Sequence, residues 1–113
     1  MTLRPDPRPA LPLPIDDEHA PIYSVGQVAD MLGVQLAFVR RLDTEAVVQP
    51  ARSDGGQRRY TRAEIATVQQ VAQMADDGMS LAGIRRILVL EAEVLRLQQE
   101  IVRLQRRSRT SSG

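Results

Sequence analysis

The sequence predicts a mainly α fold: a winged helix-turn-helix with a small β-hairpin wing, followed by a long C-terminal dimerisation helix. Three observations carry that expectation. Two short amphipathic patterns lie on either side of Gly33, the basic glycine-bearing stretch "SDGGQRRYT" follows them from Ser53, and apolar residues spaced by three and four run toward the end.

Size and composition set the frame. With 113 residues, 42% hydrophobic and 26% charged, the chain has room for one modest domain and an appendage. A chain this short buries only roughly 60 to 65% of its unfolded surface, so part of its stability is expected to come from a partner subunit. There is no cysteine, and the single histidine, His19, lies in a proline-rich leader. Disulfides and thiolate ligands are excluded, and neither a metal centre nor a cofactor is expected. No apolar run approaches the length of a membrane span, and no apolar stretch follows Arg4 and Arg8. A cytoplasmic location is the expectation. All 15 basic residues are arginine, against 14 acidic ones, for a net charge of +1. Arginine's planar fork grips phosphates and guanine edges. Arg40, Arg41, Arg52, Arg58, Arg59 and Arg62 fall within one span, while Arg103, Arg106, Arg107 and Arg109 gather near the end.

Residues 1–21 hold Pro5, Pro7, Pro9, Pro12, Pro14 and Pro21, a spacing that forbids helix and predicts a disordered or polyproline-like arm. At Ser24 the pattern changes. Ser24 and Gln27 stand as a capping box, and Val25, Val28, Ala29 and Leu32 recur with helical spacing until Gly33 ends the helix. A second short helix follows, with Phe38, Val39 and Leu42 on one face and Arg40, Arg41 and Glu45 elsewhere around it. Val47 and Val48 then read as a short strand, Pro50 suits an edge, Asp54-Gly55-Gly56 makes a tight reversal and Arg58 to Tyr60 forms the return strand. Thr61 and Glu64 form a second capping box for a helix with Ile65, Val68, Val71, Ala72 and Met74 on its apolar face, ended by Gly78. Ser80 is the next cap, followed by Leu81, Ile84, Ile87 and Leu88.

The order of these parts explains the "GGQRRY" stretch. Glycines let a hairpin tip turn sharply, and arginines just after it project donors from a stiff ribbon toward a phosphate backbone or minor groove. A hairpin placed after two helices joined by a tight turn is the order of a winged helix-turn-helix, whose second helix enters the major groove. The last region carries Ile87, Leu90, Val94, Leu97, Ile101 and Leu104, a heptad seam that predicts association along a helix of about 31 Å from 87 to 107. Leu88, Leu95 and Val102 widen the apolar face. Strand direction does not follow from periodicity. The expected organisation is therefore a leader over 1–21, a DNA-binding unit over 22–86, a coiled-coil helix over 87–107 and a disordered tail over 108–113.

Residues 22–90 resemble a known family. "YSVGQVADMLGV" followed by "FVRRLDTEAVVQPARSDGGQRRYTRAEI" looks like the DNA-binding domain of MerR-family transcription regulators. Gly33, Val34, Arg40, Asp43, Pro50, Arg52, Gly56, Arg58, Tyr60 and Glu64 occupy the family's motif positions. "SLAGIRRILVLEAEV" and Asp43 look most like the heat-shock repressor branch called HspR. Arg41 and Leu42 stand where two aromatics are common, Phe38 replaces a threonine, and Ala46 replaces a glycine. The resemblance implies an antiparallel two-helix coil joining two winged domains on an inverted repeat. It also implies a regulatory protein partner, such as a chaperone, because little sequence follows the coil and thiolate sensing is excluded.

The expected function is transcriptional regulation, as a repressor, by a homodimer on double-stranded DNA. Gln35 and Arg40 are expected to read base edges, with Ala37 beside them in the first turn, while Arg41, Arg52, Arg58, Arg59 and Tyr60, with Gln57 in the wing, meet phosphates. No catalytic residue is expected: the acidic groups Asp76-Asp77 and Asp16-Asp17-Glu18 lie in loops rather than a pocket. Two other readings use the same parts, a MerR-like protein-interaction adaptor or chaperone modulator and an excisionase-type architectural DNA binder. The wing argues against the first and the long coil against the second.

Overall fold

The computed structural model describes residues 17–51 and 55–112. Among these residues there are four helices: α1 (Val25–Leu32), α2 (Leu36–Thr44), α3 (Arg62–Asp76) and α4 (Leu81–Ser112). Their starts follow local chemistry. Ser24 accepts from the Gln27 N–H at 3.1 Å while Gln27 Oε1 accepts from the Ser24 N–H at 2.8 Å, and Thr61 with Glu64 repeats the arrangement at α3. Both capping boxes are thus formed as expected. Ser80 Oγ accepts from the Gly83 N–H at 3.1 Å and starts α4.

One device closes the first three helices. At the end of α1, Gly33 adopts φ 67° and the next N–H, Val34, reaches back to Ala29 O at 3.1 Å. Gly78 does the same for α3 at φ 96°, with Met79 N–H on Met74 O at 3.1 Å. At α2 the left-handed position falls on Ala46, φ 59°, with Val47 N–H donating to Leu42 O at 2.8 Å and Ala46 N–H to Asp43 O at 3.1 Å. These are Schellman closures, and glycine fills the left-handed position because it has no Cβ to clash.

This third closure corrects the expected strand at Val47-Val48. Both valines donate their N–H groups to Leu42 O, at 2.8 and 3.2 Å, so neither is available to a ladder, and Val48 is carried into the core. Their β-branched character served burial rather than sheet. Pairing occurs elsewhere: Tyr60 forms an isolated antiparallel bridge with Tyr23, through N–H···O bonds of 3.0 and 2.7 Å. The chain does reverse after Ala51, whose carbonyl accepts from the Arg59 N–H at 3.2 Å. Among the described residues no strand exceeds a single bridge. Asp54, at the expected tip, lies outside them.

The core gathers Val28 and Ala29 of α1, Val39 and Leu42 of α2, Val48, Tyr60, the α3 residues Ile65, Val68 and Val71, and Ile84 of α4. These are the apolar faces that helical spacing marks. The end of the leader also packs: Asp17 to Ala20 form a turn, and Glu18 O accepts from the Ala63 N–H at 3.1 Å. Residues 1–16 of the expected arm lie outside the described residues.

α4 is a single helix of 32 residues, about 48 Å long. It corrects the expected frayed tail at 108, since it continues through Ser112. No glycine or proline stands between Arg85 and Ser112 to break it, and Thr110 Oγ1 folds back onto Arg106 O at 2.8 Å. The boundary expected at residue 87 falls inside this helix. Ile84 is fully buried and Leu88 packs on the core, whereas Leu90, Val94, Leu97, Ile101 and Leu104 remain between 45 and 53% exposed. Ile87 lies between these regimes, half-buried. Among the described residues no helix is long and apolar enough to cross a membrane.

Candidate nucleic-acid interface

Burying Val39 and Leu42 fixes how α2 is rolled about its axis. The opposite surface then holds Gln35, Leu36, Ala37, Arg40, Arg41 and Thr44, all exposed. Gln35 is the N-cap residue, but its side chain makes no capping bond. The Gln35 amide is therefore not consumed by the helix it begins.

Next to this face the chain 57–60 comes close to the start of α1 and to α2, enclosing an open groove of about 530 Å³. Arg40, Asp43, Gln57, Arg58 and Tyr60 line it. Within the groove Arg58 is committed to the protein. Its Nε lies 3.0 Å from Asp43 Oδ2, and its Nη1 donates to Pro50 O at 2.6 Å. The guanidinium thereby ties the segment 57–60 to α2 and to the loop that follows it. Asp43 and Arg58 side chains are only 20 and 29% exposed, so solvent screens this pair less than a surface pair.

The other arginines behave differently. Arg41 Nε meets Glu45 Oε2 at 2.8 Å with both side chains well exposed, an i,i+4 contact that can be exchanged at little cost. Arg59 Nη2 donates to Gln57 Oε1 at 3.1 Å. Arg40 makes no ion pair among the described residues. Arg52 lies outside them.

Tyr60 is 1% exposed. Burial of the ring, reinforced by the nearby carboxylate of Asp43 and to a lesser extent Glu64, and opposed by the Arg58 cation, pushes its hydroxyl up to about 12. The phenol stays protonated at any physiological pH. Tyr60 thus works as a buried strut, holding the segment to the core through its ring and to Tyr23 through its backbone.

Of the expected DNA-facing residues, the structure gathers Gln35, Ala37, Arg40 and Arg41 on one face of α2 and places Gln57, Arg58, Arg59 and Tyr60 beside it. Asp43 and Pro50, which anchor Arg58, were visible in sequence only as motif positions. Their pairing brings together residues distant along the chain, and no local periodicity signals it. Among the described residues, no group of three or more His, Cys, Asp or Glu side chains could hold a metal.

Comparison with known proteins fits this geometry. A family model described as "MerR HTH family regulatory protein" matches residues 23–90. HspR of Streptomyces coelicolor is 36% identical over 88 residues, covering 77% of this chain, and the match spans 58% of that relative's own length. GlnR of Bacillus anthracis, an HTH-type transcriptional regulator, is 23% identical over 88 residues, 75% of this chain and 68% of its own. Among solved structures, the N-terminal part of MtaN, the multidrug transporter activator of Bacillus subtilis, superposes with a TM-score of 0.54 at 25% identity, covering 74% of this chain and 95% of that one. HiNmlR, a MerR family regulator lacking the sensor domain and bound to promoter DNA, gives a TM-score of 0.53 at 21% identity, covering 74% of this chain and 79% of its own.

Proposed function

The chain belongs to the MerR family of HTH regulatory proteins, and from that membership we propose that it is a DNA-binding transcriptional repressor acting as a homodimer on an inverted-repeat operator. The outward face of α2 carries the reading: a helix whose inner side is fixed by Val39 and Leu42 and whose outer side offers Gln35, Ala37, Arg40 and Arg41. Gln35 and Arg40 face base edges in the major groove. Arg41 and Arg59, with Gln57, meet phosphates at the flanks. Arg58 and Tyr60 support this arrangement from behind, which moves them from the contact surface to its scaffold. The segment 51–60 serves as a wing, a role supported by its reversal at Ala51 and by a relative of the same fold captured on promoter DNA.

The domain assignment follows the same logic: residues 22–86 bind DNA and 87–107 dimerise. Leu90, Val94, Leu97, Ile101 and Leu104 form a row of half-exposed apolar side chains that one chain alone does not cover. A second copy lying antiparallel along it, as in the family, buries the row and sets two recognition helices on one duplex. Control by a protein partner such as a chaperone is consistent with the relation to HspR. Sedimentation of the purified chain and retardation of genomic fragments test the proposal together. A dimer that protects an inverted repeat is the expected result; a strictly monomeric chain that retards no fragment at low salt would falsify it.

A further inference from the structure

α2 is the helix that the proposed function sends into the major groove, yet the first residue of that helix is a leucine with 38% of its surface exposed. Packing does not account for Leu36, since the buried side of α2 is Val39 and Leu42. Among the described residues it is the exposed large apolar side chain of this helix. Residues four apart share a helical face, so Leu36 stands one turn ahead of Arg40, and Ala37 one turn ahead of Arg41. Each guanidinium thus has an apolar group on its N-terminal side.

An apolar tip with cationic flanks complements a surface that carries small apolar features between walls of anions. The major groove of DNA is such a surface: phosphates line its edges, and the C5-methyl of thymine is the apolar feature that its floor presents. We propose that Leu36 reads thymine C5-methyl groups and so helps to set the operator sequence. Polar readout from this turn is limited to Gln35, which leaves methyl contact as a large share of its discrimination. The inference rests on the DNA-binding reading above.

The test uses duplexes that the full chain selects from random-sequence DNA. Each is remade with uracil replacing thymine at one position at a time, which deletes one methyl group and leaves every hydrogen-bonding edge in place. Affinity is read by fluorescence anisotropy at fixed salt. Burying one methyl-sized group predicts a loss of about three- to fivefold at the contacted positions in each half-site. Leu36→Ala should bind thymine and uracil duplexes alike, whereas Met31→Ala, which removes another exposed apolar side chain from the neighbouring α1, should keep the discrimination. Equal affinity of the unaltered protein for both bases at every position overturns the proposal and leaves DNA binding intact. A Leu36→Ala variant that still discriminates also overturns it, and failure to select any duplex removes the inference and the proposed function together.

Discussion

The packed head and the distal part of α4 use the same residue types at the same spacings and meet opposite surroundings. Val28, Val39, Leu42, Val68, Val71 and Ile84 have no exposed surface, while Val89, Leu90, Val94, Leu95 and Ile101 are 53 to 62% exposed. The changeover comes at Leu88, the last α4 residue packed against the head's core. Three-and-four spacing therefore reports that a face exists, and only tertiary context reports what covers it. In the head the cover comes from the same chain. Along the rod no residue of this chain supplies it among the described residues, and the proposed second copy would.

The sharpest way to break this contrast pairs one substitution from each region. Leu42→Ala, at a fully buried site, should lower unfolding free energy by about 2 to 5 kcal/mol at every protein concentration. Leu97→Asp should leave the head folded but weaken association, so that sedimentation shows monomer and the urea midpoint no longer rises with concentration. If Leu97→Asp unfolds the head as Leu42→Ala does, the two regions are one cooperative core and the contrast is wrong.

A second test titrates the head from within. Tyr60 holds its proton to about 12 when folded, while an unfolded tyrosine releases it near 10. Between these values the folded state binds more protons than the unfolded one, so stability falls as pH rises, with full stability present below pH 10. Unfolding free energies from urea titrations between pH 9 and 11.5 should drop with a slope of up to about 1.4 kcal/mol per pH unit, and Tyr60→Phe should flatten that slope. In a Tyr23→Phe background, tyrosinate absorbance would follow Tyr60 alone.

Ion pairs extend the comparison. Arg58→Ala removes a shielded contact with Asp43 and Pro50 and should cost about 1 to 3 kcal/mol of head stability. On the rod, Arg96 with Glu93 and Arg103 with Glu100 are solvent-facing pairs in which the guanidinium holds each carboxylate below its usual range. Replacing Arg96 or Arg103 by alanine should leave the thermal midpoint unchanged. Arg41→Ala should also spare stability, while lowering the salt slope of DNA binding by about one. A stable Arg58→Ala variant with a reduced salt slope would return Arg58 to the contact surface.

The smallest effect concerns Ala46, which holds the left-handed position that Gly33 and Gly78 hold elsewhere. Ala46→Gly should stabilise the head by about 0.5 to 1 kcal/mol, relief of the Cβ clash outweighing glycine's added chain entropy. A loss of stability would mean that Ala46, already partly buried, contributes packing worth more than that strain.

These cases also show where sequence was sufficient. Ser24 with Gln27 and Thr61 with Glu64 were readable because each box closes within three residues. The apolar faces of α1, α2 and α3 were readable because periodicity is local too. Val47 and Val48 misled because β-branched residues favour strands in general, and here a helix end claimed their N–H groups. The tail misled because its polar composition resembles coil, although no glycine or proline interrupts residues 108–112. Arg58 and Tyr60 looked like surface groups because their inward commitments depend on Asp43 and Pro50, whose approach only the folded chain creates.

The rod begins inside the domain: Ile84 is sealed in the core, and the backbone then runs to Ser112 without a joint. It is therefore a lever with its fulcrum among the residues that orient α2. A tilt of about 5° at Leu88 would carry the far end roughly 3 Å, given a span near 36 Å. Conversely, a clamp on that far end, such as the proposed second copy, would bear on the aim of the head as well as on the rod.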